Sequence, residues 1–219
     1  MKLGLVSFLA ALAAAPLAAQ AAPSATRYSV TLQATVDEQT TYTQTITENE
    51  DCTSSKTGTD GRQLRVRTVR SARVSAIRGT VRVAVSGTDL GGKWSQLRRC
   101  RFEPPERLNG VCRATNVGRF VANVSFRRTA PNRVAVGAAT DPRLSEEALC
   151  GLADRVQTGR WLELTVGKIA ERRLRAGDPR VVATGTAQRE RSIMTSGSQT
   201  LKVGQTIIVR WRLVFTRRA

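Results

Sequence analysis

The chain is predicted to be all-β and mainly antiparallel, a single-domain β-sandwich or barrel-like body with one or two short helices and two disulfides. Three observations predict this. Runs of period-two alternation rich in β-branched and aromatic residues recur along the sequence, polar turns bearing Gly, Pro and Asn separate them, and the cysteines form an even set of four.

The clearest element is residues 206–215. Ile207, Val209, Trp211, Leu213 and Phe215 alternate with Ile208, Arg210, Arg212 and Val214, so one face is apolar and the other carries arginine. This is the pattern of a strand half buried against a core. From Tyr28 onward the even positions run Tyr28, Val30, Leu32, Ala34, Val36, Glu38, Thr40, Tyr42, Gln44 and Ile46 without a change of parity. One long, bent strand is expected, with a hairpin around residues 37–39 as the alternative. The odd face carries Thr41, Thr43, Thr45 and Thr47. Such an array can match an ice or sugar lattice only if neighbouring strands repeat it. In the sequence it occurs once, so an ordinary solvent face is expected.

Residues 64–69 and 74–85 follow as strands, the second broken at Gly79, and then a glycine-rich turn over 87–92. Phe120, Ala122, Val124 and Phe126 mark another strand, which Pro131-Asn132 turns into 133–136. Asp141-Pro142 reads as an N-cap with proline at the first helical position, giving a short helix over 144–149 stopped by Gly151. Residues 161–166 return to strand, 168–175 are a second short helix ended by Gly177-Asp178-Pro179, and 181–186 complete the set before the final strand.

The beginning of the chain sets the compartment. Lys2, an uncharged and mostly apolar stretch over 3–19, and Ala19-Gln20-Ala21 read as a secretory signal peptide over residues 1–21, leaving 22–219 as one β-rich domain. The stretch is interrupted by Pro16 and falls short of the roughly 20 residues of a bilayer span. The mature protein is therefore expected to be secreted or extracytoplasmic, without a membrane span. In that compartment Cys52, Cys100, Cys112 and Cys150 are expected to form two bridges. Of the three connectivities, Cys100 with Cys112 and Cys52 with Cys150 is favoured, because the first pair flanks a turn-rich segment. A zinc site lacks both C-x-x-C spacing and histidine, so no metal and no cofactor are expected.

Composition excludes much chemistry. The chain has no histidine, which removes Ser-His-Asp and Cys-His hydrolases and His-bound metal enzymes, and it has neither a Gly-x-Ser-x-Gly elbow nor Ser-x-x-Lys. Residues 87–93 fit the spacing of a P-loop, but Trp94 stands where the Mg-binding hydroxyl belongs. Glu146, Glu147, Asp154 and Glu163 are the candidates for a polysaccharide-acting carboxylate pair, and Glu48, Glu50, Asp51 and Asp60 for calcium ligands without the EF-hand order.

What remains is charge. Lys and Arg number 35 against 17 Asp and Glu, a formal +18, and loss of Lys2 with the leader leaves +17. Acidic residues concentrate in 28–60 and arginines in 61–82, so pairing of these segments would offset part of the charge. Arg119, Arg127, Arg128, Arg210, Arg212, Arg217 and Arg218 are the candidates for a basic face. The sequence thus favours a non-enzymatic binding module for anionic polymers: cell-wall phosphates, acidic polysaccharide or nucleic acid. A carboxylate-dependent polysaccharide enzyme and a domain for an unidentified protein partner are the alternatives.

Overall fold

The computed structural model describes residues 27–74, 77–138, 147–152, 155–156, 165–196 and 199–218. The leader over 1–21 lies outside them, as do Glu146, Asp154, Trp161 and Glu163.

The described strands are β1 (Tyr28–Thr47), β2 (Cys52–Arg70), β3 (Ala72–Val74), β4 (Arg78–Cys100), β5 (Glu106–Cys112), β6 (Thr115–Ala130), β7 (Arg133–Ala138), β8 (Glu147–Ala148), β9 (Arg155–Val156), β10 (Thr165–Ile169), β11 (Arg180–Thr195) and β12 (Gln199–Arg217); one helix, α1 (Glu171–Arg175), follows β10. All pairings are antiparallel: β8 and β9 form a two-stranded sheet of their own, and the other strands form a ten-stranded sheet ordered β12-β11-β10-β7-β6-β4-β2-β1-β3 with β5 added on β4. β12 also pairs with β1, from Tyr28 opposite Arg217 to Ile46 opposite Gln199. That pairing closes β1, β2, β4, β6, β7, β10, β11 and β12 into a barrel. Of the two expected architectures, the barrel is the one formed.

Parity fixes inside and outside. Val30, Leu32, Val36, Val81, Val83, Val85, Val124, Val134, Val136, Val181 and Leu213 are fully buried in the barrel, with Phe126 and Phe215 edge-to-face at 5.9 Å between centroids. Burying each such side chain is worth about 1.5–3 kcal/mol. Trp211 lies flat against the backbone of β11, where a Cβ on Gly185 would stand 2.4 Å from the indole. Its Nε1 donates to the Thr165 hydroxyl, so the ring is buried with its polar atom satisfied.

The lower mouth is covered by α1. Leu174 is buried, and the Tyr28 hydroxyl donates to its carbonyl at 3.0 Å. The β6–β7 turn, with Asn132 at φ 55°, is clasped to the same helix: Asn132 N–H donates to Glu171 Oε2 and Glu171 N–H to Asn132 Oδ1. Asn is among the few non-glycine residues that take up this backbone conformation readily.

Above the apolar core, β11, β12, β1, β2, β4 and β5 continue as a six-stranded extension. One rung crosses it from Ile193 through Val203, Tyr42, Gly58 and Trp94 to Gly110. Its inner face holds a second cluster of Tyr42, Trp94, Ile193, Leu201 and Val203, against which Leu149 and Leu152 pack.

Several expectations are corrected. Glu147–Ala148 form a short strand and no helix, while residues 144–146 lie outside the described chain. The second helix is confined to Glu171–Arg175, because residues 168–169 still pair in β10. The glycine-rich turn over 87–92 does not exist: these residues run straight through β4. Leu90 is the extra residue of a bulge between Asp89, opposite Arg62, and Gly91, opposite Gly61. The disulfides are Cys52–Cys100 and Cys112–Cys150. Cys52 and Cys100 are direct partners across β2 and β4 with Cα atoms 4.1 Å apart. The next pair out, Asp51 and Arg101, shares a backbone hydrogen bond, so the cysteines occupy the close, non-hydrogen-bonded site. Finally, the threonine array is not single. Thr41, Thr43, Thr45 and Thr47 stand opposite Thr59, Thr57, Ser55 and Thr53, four consecutive hydroxyl rungs on the outer face.

Candidate anion-binding face

Because even residues of β1 and β2 point into the barrel, Thr35, Arg65 and Arg67 point out, as do Arg210 and Arg212 of β12. The register lines them up. One rung runs Arg210–Thr35–Arg65–Ser86–Arg119 over β12, β1, β2, β4 and β6, and the next runs Arg212–Gln33–Arg67–Ala84–Val121. At about 4.8 Å between strands, the band covers roughly 19 Å from β12 to β6.

Two shallow depressions mark it. One of about 320 Å³ is bordered by Gln33, Thr35, Arg65, Arg67 and Arg212; the other, of about 450 Å³, lies against Gln63, Arg65, Ser86, Thr88, Asn116 and Arg119. Arg65 belongs to both. Arg210 is held by Asp37, Nη1 to Oδ2 at 2.9 Å, and Asp37 also accepts from Gln63 Nε2 at 2.7 Å. Among the described residues, Arg65, Arg67, Arg119 and Arg212 form no ion pair, and all four are exposed. Their guanidinium forks are available for bidentate contact with phosphate, sulfate or carboxylate.

The seven arginines named from sequence therefore do not form one face. β6 and β12 lie four strands apart around the ring in either direction, on opposite sides of the barrel. Arg119, Arg210 and Arg212 are brought into one band only by Arg65 and Arg67, two arginines of the 61–82 run expected to offset the acids of 28–60. Arg127 stands at the lower end, opposite Arg78. Arg128 pairs with Glu171 at 3.2 Å, and Arg217 Nη1 donates to the Gly177 carbonyl. Arg218 adjoins them, its N–H bonded to the Arg27 carbonyl. This lower set is tied to α1 and the mouth of the barrel. Acids of the first strands do offset arginines elsewhere: Glu38 accepts from Arg62 Nη2 at 3.0 Å through both oxygens, inside the barrel, and Glu48 accepts from Arg98 Nε at 2.9 Å.

The inner acids are committed to structure. Asp60 accepts from Gly61 N–H at 2.9 Å and Cys150 N–H at 3.2 Å, while Asp89 accepts from Gly91 N–H at 2.8 Å. Burial, and then the nearby Asp89 carboxylate, push the Asp60 carboxyl up to about 6. Burial raises the Tyr42 hydroxyl to about 12, so it stays protonated and donates to the Cys150 carbonyl at 2.7 Å. Asp60 and Tyr42 thus pin both polar groups of the Cys150 backbone beneath the extension. Of the carboxylates considered for polysaccharide cleavage, Glu147 lies in β8, and Glu146, Asp154 and Glu163 fall outside the described residues.

No protein-family model matches the chain, and no curated protein matches it in sequence.

Proposed function

We propose that the protein is a secreted, non-enzymatic binding module that takes up anionic extracellular or cell-envelope polymers on the outer band of Arg212, Arg67, Arg65 and Arg119. The observation that carries this reading is the register, which sets four exposed, unpaired arginines along two neighbouring rungs. Two disulfides are compatible with an extracellular setting. A polymer lying across the strands meets a repeated row of guanidinium groups and releases counterions as it binds.

The test is binding of polyphosphate, DNA and an acidic polysaccharide across a salt series, with wild type, Arg65→Glu/Arg67→Glu and Arg127→Glu. Wild type should bind at low salt, and the double variant should lose at least about tenfold affinity with a shallower salt dependence. Arg127→Glu, at the far end of the barrel, should change little. Equal losses in both variants would mean that total charge acts without a site, and absent binding at low salt would end the reading.

A further inference from the structure

The outer face of β1 and β2 does not end at the arginine band. Moving up the same two strands, Thr35 and Arg65 give way to Asp37 and Gln63, then Gln39 and Gly61, and then the four hydroxyl rungs. Along each strand the hydroxyls repeat at about 6.8 Å, and across the strands at about 4.5–5.5 Å, so the ladder is roughly 20 Å long. Thr41 reaches the Gly204 carbonyl at 3.4 Å and Thr57 meets the Ser95 hydroxyl at 3.0 Å. Among the described residues the other ladder hydroxyls form no hydrogen bond within the protein.

A groove of about 670 Å³ crosses the ladder towards β5. Outward-facing Thr41, Thr57, Thr59, Lys93, Ser95, Asn109 and Val111 border it, and the backbone of the rung Tyr42, Gly58, Trp94 and Gly110, whose rings lie on the other face, forms its floor. Lys93 lies beside Thr59 on one flank, and Lys202 beside Thr43 on the other. Between the rung of Gln39 and the rung of Thr47, the outward positions of β12, β1, β2 and β4 carry no acid among the described residues.

We propose that this hydroxyl ladder and its groove are a second contact surface for the same polymer, and that the polymer is an acidic polysaccharide. The inference rests on the arginine band being a binding site. The chemistry separates the candidate chains. Threonine and serine hydroxyls and the Asn109 amide both donate and accept, as sugar hydroxyls do, and the threonine methyls lie against the C–H faces of a sugar ring. Polyphosphate offers acceptors only. Single-stranded nucleic acid gains from aromatic platforms, whereas Tyr42 and Trp94, which line the groove through their backbone, lay their rings over Gly58 and Gly110 on the inner face. Lys93, Lys202 and the arginines below complement carboxylate or sulfate groups on the chain. Their protruding charges suit a soluble anionic polymer better than an uncharged crystal face such as ice.

The experiment compares a polyuronate, polyphosphate and a neutral dextran against wild type, Thr43→Val/Thr57→Val/Thr59→Val and Arg65→Glu/Arg67→Glu. Valine keeps the β-branched shape while removing the hydroxyls. Wild type should prefer the polyuronate; the valine variant should lose about tenfold on it and nothing on polyphosphate, as expected for a few hydrogen bonds. The arginine variant should lose both. Should the valine variant misfold, Ser95→Ala/Asn109→Ala reads the same groove from β4 and β5 and should show the same selective loss. Unchanged polyuronate binding in the hydroxyl variants, or equal loss on polyphosphate, overturns the inference while leaving the arginine site standing. Failure of wild type to bind either anion overturns both.

Discussion

Asp60 joins the extension sheet to the segment that the second disulfide tethers, and its chemistry makes that junction sensitive to pH. Its carboxyl lies at about 6 in the fold, against 3.8 ordinarily, because burial and the Asp89 carboxylate disfavour its charge. Between these values the folded chain binds more protons than the unfolded chain. Stability from this group is therefore full below about pH 4 and is lost as pH rises through about 6. Asp60→Asn removes the dependence but also halves the acceptors offered to Gly61 and Cys150, so the informative quantity is a difference. The urea midpoint of the variant minus that of wild type should shift in the variant's favour between about pH 4.5 and about pH 7.5. A difference independent of pH would mean that Asp60 titrates normally. Glu171 behaves in the opposite sense: the hydrogen bond from Arg175, with that from Asn132 N–H, holds its carboxyl below the usual range, so its contribution fades only in acid.

The disulfides act on whole elements. Cys52–Cys100 ties the upper ends of β2 and β4, and Cys112–Cys150 anchors the segment beneath them; the separations are 48 and 38 residues. In the loop-entropy model each bridge contributes about 4 kcal/mol. Cys112→Ser/Cys150→Ser should lose a similar amount in denaturant unfolding, and limited proteolysis should cut first near residues 147–152. Equal proteolytic resistance would show that Leu149 and Leu152 hold that segment alone. The same elements show what was legible in advance. β1, β6 and β12 were readable because each sets apolar residues against polar ones with period two, as Trp211 beside Arg212 does. The upper halves of β2 and β4 were not, since Thr53, Ser55, Thr57 and Thr59 face water and the inner positions hold Ser54, Lys56, Gly58 and Asp60, leaving no apolar alternation. Gly87, Gly91 and Gly92 signal a turn by composition, yet a bulge in a long strand uses the same conformational freedom. Bridge pairing and the arginine band depend on register. Parity alone could place Arg65 and Arg67 outward, but nothing local could set them beside Arg212 or Arg119, just as nothing local could show the second column of hydroxyls.

At the scale of the whole molecule the barrel encloses an apolar core, with the paired Glu38 and Arg62 also inside, and its described outer wall carries exposed arginines. Among the described residues no helix is long and apolar enough to cross a membrane. The strands present arginines at Arg65, Arg67, Arg82, Arg210 and Arg212 on the outer wall, where a membrane barrel would meet lipid, at a cost of about 2–4 kcal/mol for each one near the midplane. Such an exterior suits water and anions. A chain of net charge +18 repels itself when compact, so on the proposed reading a polymer that neutralised the arginine band would stabilise the fold as well as bind it. At about one hundred times its dissociation constant, a ligand specific to the native state adds about 2.7 kcal/mol. For a domain of this size that is a rise in Tm of about 5–10 °C. Polyphosphate added at low ionic strength should produce such a rise, high salt should abolish it, and Arg65→Glu/Arg67→Glu should remove most of it. If the melting temperature does not move, native-state binding is absent and the cationic wall serves solvation alone. If it moves equally in the double variant, neutralisation is spread over the whole surface and the band is not a site.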